Sequence, residues 1–402
     1  MSWISNIKAR EPMVDDGGGF SYGTSIFRGN SATISPQTAM QLTTVFACNR
    51  VIAETISSIS LDVYERIDGG KIKAVDHPLY QLLKYSPNPN ITSVMWREMI
   101  VSALNTRGNH YTQIIKNGNQ DIKGLYPLAT DNMKPEQTKS GKIVYKYNTG
   151  SKKIKVPAHE ILHIRGLPSE DGFTGMSPIE MNRKALQLGA TTQEFGINFF
   201  NRGANASGAF SKDGELGEKA YKRLKNDISE NYAGVHNSGK PLLLEGGLKF
   251  ERISIPNNDA QFLETRKYQK EEIASIYRVP MHMINSLENA TFSNIEHQSL
   301  EFVQFTILPT VKRIEQALNT QLLTEEDRKK YVIKFNVDSL LRGDFETRTS
   351  GYKTLIQNGV MSVNEARALE NMNPVDGGDK RFMQLNMTTI EKIGEENENN
   401  QD

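Results

Sequence analysis

The sequence predicts an α+β protein in which two long helices are joined by a short loop. Apolar residues recur every three or four positions across residues 293–322, which is the period of a helix, and residues 259–278 lie between a capping aspartate, Asp259, and the helix-ending Pro280. Short apolar segments between residues 111 and 165 are instead bounded by turn residues such as Asn117-Gly118, as strands are. Because the block up to residue 176 contains both predicted helices and a run of short predicted strands, the pattern favours the α+β class.

Length and composition narrow the class of protein. At 402 residues with 37% hydrophobic content, the chain is long enough for two or three structural units with real cores. Lysine plus arginine number 48 and aspartate plus glutamate 47, so bulk electrostatics do not favour tight nucleic-acid binding. The single cysteine, Cys48, lies in a helical apolar series, which predicts a buried thiol. One cysteine cannot form an internal disulfide, which fits a reducing compartment. No signal-peptide core and no run of roughly 20 apolar residues is present, so we expect a soluble chain without a membrane partner.

The first part of the chain is expected to begin with a flexible arm. Residues 1–34 contain Gly17-Gly18-Gly19 and show little periodicity. A long amphipathic helix is predicted from Ser35-Pro36 to Ile59, followed by a hairpin around Asp68-Gly69-Gly70. The remaining elements up to residue 176 are predicted as helices 77–84 and 92–106 and as strands 111–116, 122–126, 143–147, 153–156 and 161–165.

The middle of the chain is predicted to contain a small insert between two helices. A helical pattern runs from Ser177-Pro178 to Asn201 and ends at Arg202-Gly203. The insert that follows, 203–258, reads as a short strand at Gly208, a helix over 218–232 and a hairpin over 242–255. A unit of about 55 residues buries little apolar surface alone, so we expect subunit contacts to stabilise it.

The helix predicted from Asp259 to Arg278 has a charged middle and apolar ends, and it stops before Pro280. A loop up to Thr291 separates it from a helix that is expected to start at a Ser293/Glu296 capping box. That second helix runs to Leu322 with a kink at Pro309. Beyond it we expect a strand over 331–337, helices over 344–357 and 362–371, and a disordered acidic tail.

Two motifs resemble catalytic signatures. His159-Glu160-Ile161-Leu162-His163 fits H-E-x-x-H, in which two histidines one helical turn apart bind zinc. Here the apolar alternation predicts a strand, on which residues four apart lie about 13 Å from each other, too far for a shared metal. Gly234 to Lys240 resembles a phosphate-binding loop, but Pro241 stands where that motif needs Ser or Thr. The carboxylates Glu264, Glu271 and Glu272 alternate with lysines, which favours a solvated, salt-bridged helix face.

Several long blocks resemble the portal proteins of tailed bacteriophages, in the large family of mid-sized portals. In the family's order they are TVFACNRVIAETISSISLDVYER, HPLYQLLKYSPNPN, ILHIRG with GMSPIE, FFNRGANASG, FLETRKYQKEEIASIYRVP, ATFSNIEHQSLEFVQFTILP and LIQNGVMSVNEARALENMNPVDGG. They span roughly Ser35 to Gly378. The resemblance implies a portal-type ring, typically of twelve subunits, at one capsid vertex of the virion, with a DNA channel on its axis and with no catalytic site, cofactor or metal.

On the family's plan, each segment has an expected place. These are an N-terminal arm (1–34), an α+β wing (35–176, with 323–342 returning to it), stem helices (177–202 and 259–279), a small α/β clip (203–258), a tunnel loop (280–291), a spine helix (292–322), a short helical crown (343–385) and a disordered tail (386–402).

The resemblance also implies which residues face the DNA. In the tunnel loop these are Met281, His282, Met283, Asn285, Ser286, Glu288 and Asn289, and on the stem helix that forms the channel wall they are Glu264, Lys267, Lys270 and Glu271. The expected partners are further copies of the chain, double-stranded DNA, the terminase large subunit, head–tail connector or adaptor proteins, and the major capsid and scaffolding proteins, with assembly in the host cytoplasm. The alternatives are a zinc metallopeptidase built on the H-E-x-x-H motif and a DNA-binding adaptor that forms no ring.

Overall fold

The computed structural model describes residues 34–68, 70–118, 120–201, 208–211, 217–231, 248–252, 259–285, 292–337, 340, 345–370 and 372–383. The chain divides into two compact units, Met1–Asn336 and Val337–Asp402. Helices and antiparallel sheets together build the first unit, so the predicted α+β class is confirmed. Among the described helices, none is both long and apolar enough to cross a membrane.

The first unit opens with two helices, α1 (Pro36–Ala39) and α2 (Thr43–Ser58), where the sequence predicted one. Ser35 and Thr38 form a capping box at the start of α1, with the Ser35 hydroxyl accepting from the Thr38 N–H at 3.1 Å and the Thr38 hydroxyl accepting from the Ser35 N–H at 2.8 Å. The chain then leaves the helical region at Leu42, whose ψ is 118°, and the helix restarts. The sequence did not predict this break, because the apolar pattern continues across it.

Helices α3 (Pro78–Lys84) and α4 (Ser93–Arg107) follow, each within a residue or two of its predicted bounds. Thr92 caps α4 through a hydrogen bond from the Met95 N–H, and Gly108 ends it with a φ of 72°. The backbone of Gly108 meets two later loops closely. Its carbonyl accepts a hydrogen bond of 2.8 Å from the Gly166 N–H, and a Cβ placed on it would lie 2.1 Å from the Met176 carbonyl oxygen.

Three antiparallel three-stranded sheets complete this part of the first unit. Their strands are β1 (Leu61–Ile67), β2 (Gly70–Lys73), β3 (Asn109–Lys116), β4 (Ile122–Leu128), β5 (Met133–Gln137), β6 (Ile143–Asn148), β7 (Lys153–Pro157), β8 (Ile161–Arg165) and β11 (Tyr331–Phe335). The first sheet has the order β11-β1-β2, the second β4-β3-β8 and the third β5-β6-β7.

Strand β5 was not predicted from the sequence. It reads Met-Lys-Pro-Glu-Gln, and only Met133 among its five residues is a large apolar side chain. Pro135 lowers the strand propensity further because it cannot donate a ladder hydrogen bond. The strand forms because Met133 joins an apolar cluster with Tyr145, Tyr147 and other buried residues of the neighbouring strands.

The next helices are α5 (Pro178–Met181) and α6 (Arg183–Asn201), separated at Asn182 within the single helix that the sequence predicted. In the insert, β9 (Gly208–Ser211) pairs with β10 (Lys249–Arg252), and α7 (Glu218–Asn231) lies between them in sequence. The predicted strand near Leu242 and the glycine-rich segment 234–240 fall outside the described residues. Helix α8 (Asp259–Tyr277) then begins and ends close to its predicted bounds.

The long helix after the loop has three parts, namely α9 (Phe292–Phe302), a π-helical segment (Val303–Ile307) and α10 (Leu308–Leu322). The predicted irregularity at Pro309 is therefore a π-helix just ahead of the proline. Pro309 cannot donate to the carbonyl of Phe305 and its ring crowds that group, so the preceding turn widens. The predicted capping box involves Ser293 and Glu296, whose side chains fall outside the described residues, and the helix itself begins at Phe292. A short helix, α11 (Asp327–Lys330), leads into β11.

The second unit contains α12 (Phe345–Gln357) and α13 (Val363–Leu369) among its described residues. Ser362 and Glu365 form a capping box at the start of α13, with contacts of 3.1 Å and 2.7 Å. The loop that follows folds back onto Asn364, whose side-chain amide exchanges hydrogen bonds with the Val375 backbone at 2.9 Å and 3.1 Å. These contacts hold the loop around Val375 against the start of α13.

Candidate functional site

The candidate site is built where α8 ends and the chain turns toward α9. Tyr277, the last residue of α8, is buried, and Arg278 follows it with a φ of 52°, in the left-handed region. Pro280 disfavours a helical conformation in the residue before it, which explains why α8 stops here. The Arg278 carbonyl accepts a hydrogen bond of 2.8 Å from the hydroxyl of Thr306, which lies in the π-helical segment. The π-helix therefore holds the end of α8 in place.

A single 3₁₀ turn, Met281–Ile284, forms the described part of the predicted tunnel loop. Its last residue is buried, whereas Met281, His282 and Met283 are half-buried. Asn285 follows in a left-handed conformation, with a φ of 67°, and is exposed. The other predicted loop residues, Ser286, Glu288 and Asn289, fall outside the described residues.

The imidazole of His282 is tied to helix α9. A hydrogen bond of 3.0 Å joins its Nδ1 to Gln298 Oε1, and its Nε2 lies 3.4 Å from the Ser299 hydroxyl. These two contacts connect the turn to α9. Met281, Met283 and Asn285 are the other predicted loop residues that the structure describes, and a DNA-facing role for any of the four stays a prediction.

The charged residues predicted for the channel wall lie along α8. Glu264, Lys267 and Glu271 are exposed, and Lys270 is half-buried. Burial raises the pKa of the Cys48 thiol on α2 to about 12, and the charge of Lys270 opposes part of the rise. A solvated charged face is therefore the arrangement along most of α8.

Helices α6 and α8 approach each other closely because glycines line the contact. A Cβ on Gly189 would lie 3.5 Å from Ile273 Cδ1, and one on Gly196 would lie 2.8 Å from Phe262 Cζ. Between these points, Gln269 Nε2 donates a hydrogen bond of 2.9 Å to the hydroxyl of Thr192. The two helices thus form one packed pair.

Large apolar side chains remain exposed on this helix pair. Met181, Leu188 and Phe195 follow one another at intervals of seven residues on α5 and α6 and are 66%, 52% and 49% exposed. On α8, Leu263 and Tyr268 are each 64% exposed. The Phe195 ring also packs against Phe262 of α8, with ring centroids 5.9 Å apart. The exposed parts of Met181, Leu188 and Phe195 form an apolar stripe that another protein chain can cover.

The two histidines of the H-E-x-x-H motif do not share a face. His159 lies in a 3₁₀ turn with its side chain 72% exposed, whereas His163 lies in β8 and is 1% exposed. The His163 ring contacts the Tyr145 hydroxyl at 3.1 Å and Asn109 Oδ1 at 2.9 Å. Within the described ranges, no group of three or more His, Cys, Asp or Glu side chains is placed to hold a metal ion. The strand interpretation of this motif is correct.

Helix α10 contains positioning residues that the sequence interpretation missed. Asn319 exchanges two hydrogen bonds with the backbone of Ile333 in β11, at 2.8 Å and 2.9 Å, and Gln321 exchanges two with the backbone of His163 in β8, at 2.9 Å and 2.8 Å. The buried Glu315 accepts a further hydrogen bond of 2.8 Å from the Phe335 N–H. Glu315 and Asn319 are polar residues four positions apart that interrupt the apolar series of this helix. This spacing could have predicted that both side chains contact a neighbouring element.

Comparison with known proteins identifies the family. The family model described as phage portal protein matches residues 43–371. The portal protein of Enterobacteria phage HK97 is 30% identical over 373 residues, covering 90% of this chain and 86% of that protein.

Two solved structures show the same fold. One is an HK97-family phage portal protein from Corynebacterium diphtheriae, at 15% identity with a TM-score of 0.58, covering 78% of this chain and 98% of the other. The second is a chain in the neck of a native gene transfer agent particle, computed with C12 symmetry, at 23% identity with a TM-score of 0.56, covering 85% of this chain and 95% of that one. The resemblance carried by the sequence blocks is confirmed, and the chain belongs to the phage portal protein family.

Proposed function

We propose that this chain assembles into a ring at one capsid vertex and forms the channel through which double-stranded DNA enters during packaging and leaves during ejection. The observation that carries this proposal is the turn Met281–Ile284, held between two long helices by the contacts of His282 and Thr306. A short turn fixed at the meeting point of long helices presents the same side chains from every subunit of a ring. In this way each copy contributes one contact point to the channel.

A ring of twelve copies is the proposed assembly. The solved neck of the gene transfer agent particle, which has this fold, was computed with C12 symmetry. The exposed stripe of Met181, Leu188 and Phe195 supports burial by a neighbouring copy, because apolar surface of this kind gains free energy when it leaves water. A ring needs a heterologous interface, so the stripe of one copy faces a different surface of the next.

The proposed domain plan assigns 35–176 with 323–342 to the wing, 177–202 and 259–279 to the stem, 203–258 to the clip, 280–291 to the tunnel loop, 292–322 to the spine and 343–385 to the crown. The pairing of β11 with β1 supports a return of the chain to the wing. The clip is the proposed docking site for the terminase large subunit and for head–tail connector proteins. Major capsid and scaffolding proteins are the proposed neighbours of the ring in the host cytoplasm and in the virion.

A DNA conduit must touch the duplex without holding it, since every phosphate contact adds affinity that translocation has to break. The accessible side chains of the turn, Met281, Met283 and Asn285, are uncharged. On the channel wall, the exposed Glu264 and Glu271 accompany the exposed Lys267, so the α8 surface carries both signs of charge. The chain thus acts as a DNA channel and as a docking platform. We propose that the terminase carries out the ATP hydrolysis that drives packaging.

Native mass spectrometry and negative-stain imaging of the purified protein test the assembly. Rings of about a dozen subunits with a central hole are expected. A chain that remains monomeric across salt and protein concentration would instead favour a DNA-binding adaptor that forms no ring. Stoichiometric zinc that is lost in His163→Ala would favour the metallopeptidase.

A cross-linking experiment tests the channel itself. The single cysteine, Cys48, is buried with a raised pKa, so an introduced cysteine can be labelled selectively. Asn285→Cys carrying a photo-cross-linker is expected to attach to duplex DNA that is held in the assembled ring. Val75→Cys is the matched control, because Val75 is 53% exposed and lies in the loop after β2. Equal cross-linking from both positions would show that the tunnel loop does not line the channel.

A further inference from the structure

The sheet β5-β6-β7 has two faces of opposite character. Met133, Tyr145, Tyr147 and Val156 point into an apolar cluster on the inner face. The antiparallel register places the intervening residues together on the outer face, because side chains alternate along each strand. The outer face therefore has its own composition, which the overall charge of the chain does not reveal.

Lysines dominate that outer face. Lys134 pairs with Lys146, and Lys146 pairs with Lys155, so one lysine from each strand stands in a single row. We call Lys134, Lys146 and Lys155 the lysine row. Neighbouring strands lie about 4.8 Å apart, so the row spans about 10 Å. Residues 133–157 contain seven lysines and one acidic residue, Glu136, in a chain whose net charge is only +1.

Like charges directly opposite each other destabilise a sheet. The structure offsets this repulsion only in part. Glu136 Oε2 lies 2.5 Å from Lys146 Nζ, and the hydrogen bond from Lys146, with the charges of Lys134 and Lys155 nearby, lowers the pKa of the Glu136 carboxyl. Across the described residues, Lys146 is the one member of the row that pairs with a carboxylate. The row therefore presents net positive charge to solvent.

We propose that the lysine row binds the phosphate backbone of double-stranded DNA, at a site separate from the channel. Each lysine that neutralises a phosphate releases condensed counterions, which is the main source of sequence-independent DNA affinity. The row offers no arginine fork and no aromatic ring, so it can hold a backbone but cannot read bases. This inference does not depend on ring formation, because one chain contains the whole row.

An acidic protein surface is the other class of polyanion that could meet this face. Protein interfaces are enriched in arginine and aromatic residues and depleted in lysine. The outer face shows the reverse composition, since its remaining members are Glu136, Val144, Asn148, Lys153 and Pro157. A flexible ammonium matches a phosphate as a point charge without requiring fixed geometry. The composition therefore favours DNA over protein.

The test uses the full chain and a fluorescent duplex of about 30 base pairs, with anisotropy measured over a series of salt concentrations. Each phosphate contact contributes about 0.9 to the slope of log affinity against log salt. The variant Lys134→Gln/Lys146→Gln/Lys155→Gln is expected to lower that slope by about 2 to 3, and Lys155→Gln alone by about 1. The control, Lys123→Gln/Lys329→Gln/Lys330→Gln, removes the same charge from exposed positions outside the row and is expected to leave the slope nearly unchanged.

Two results would overturn the proposal. The first is an unchanged salt slope in the row variant, or an equal loss in the control, because either would assign DNA binding to diffuse charge. The second is competition by poly-glutamate as effective as by duplex DNA at equal charge concentration, which would identify the partner as an acidic protein surface. Native mass spectrometry of the row variant should show the same assembly as the parent protein, which separates this test from that of the ring.

Discussion

The side-chain amide of Gln321 forms two hydrogen bonds with the backbone of His163, donating to its carbonyl at 2.9 Å and accepting from its N–H at 2.8 Å. These are the two bonds that a neighbouring strand would make to the outer side of β8. Helix α10 thus takes the place of a further strand at this point. The contact joins α10 to the sheet β4-β3-β8.

Replacing Gln321 with leucine is expected to lower the free energy of unfolding by about 1 to 3 kcal/mol, because two hydrogen bonds are lost. Amide hydrogen exchange at His163 should accelerate more than at other positions of β8. Gln316→Leu is the matched control, since Gln316 lies exposed on the same helix. If the two variants exchange equally fast at His163, the amide contact does not hold the strand.

Glycine at position 108 is expected to be required for folding. An alanine there would adopt a strained φ of 72° and place its Cβ 2.1 Å from the Met176 carbonyl oxygen, a backbone atom that cannot rotate away. We expect Gly108→Ala to destabilise the first unit by more than about 3 kcal/mol. Gly141→Ala has a φ of 79° and open space, so it should show the backbone strain alone, about 1 kcal/mol. Gly118→Ala has neither problem and should be nearly neutral in urea denaturation.

The stability of the first unit is expected to fall in mild acid. Burial lowers the pKa of His110 and of His163 from the ordinary 6.5 to about 3. Since the folded pKa lies below the unfolded one, the unfolded chain takes up protons first as the pH falls. The free energy of unfolding should therefore hold above about pH 6.5 and decrease between about pH 6.5 and 3, by up to about 2.7 kcal/mol per pH unit for the two residues.

A variant comparison isolates one of these histidines. His163→Gln should reduce the slope of unfolding free energy against pH by about one proton, whatever its effect on absolute stability. His159→Gln replaces a side chain that is 72% exposed and should leave the slope as it is. Equal slopes in both variants at pH 5 to 6.5 would show that His163 is protonated in the folded chain.

The apolar stripe on α5 and α6 is expected to hold the ring together. Leu188→Asp places a charge at a position that is 52% exposed in the single chain, so the folded subunit should tolerate it. Ring assembly should be lost or shifted to smaller species, because an unpaired carboxylate would be buried between copies. Val75→Asp, at 53% exposure, is the control that should still form rings by native mass spectrometry. A full ring from Leu188→Asp would place the subunit interface elsewhere.

Local patterns predicted the long helices well and the positions of their breaks less well. The apolar period of Val311, Ile314 and Leu318 identified α10, and all three residues are buried. The same period ran through 40–42 and through Asn182, where the structure interrupts the helix. A capping box or a turn of the backbone acts over a few residues and leaves the apolar spacing on either side intact.

Contacts between distant segments could not be read from the chain alone. Gln321 and His163 are 158 residues apart, so neither suggests the other. The lysine row depends on the register of three strands, one of which, β5, was not recognised. Of the predicted channel residues, the structure describes Met281, His282, Met283 and Asn285, together with the α8 positions. Their contact with DNA stays a prediction.

The position of α10 also has a consequence for chains that have not yet assembled. Strands β8 and β11 each lie at the border of their sheet, where exposed N–H and C=O groups can recruit a strand from another molecule and start aggregation. Gln321 and Asn319 occupy such groups on β8 and β11 with side-chain amides from a single helix. The edge groups of His163 on β8 and of Ile333 on β11 are therefore already paired within the chain, so less of each sheet edge is open to a strand from another copy.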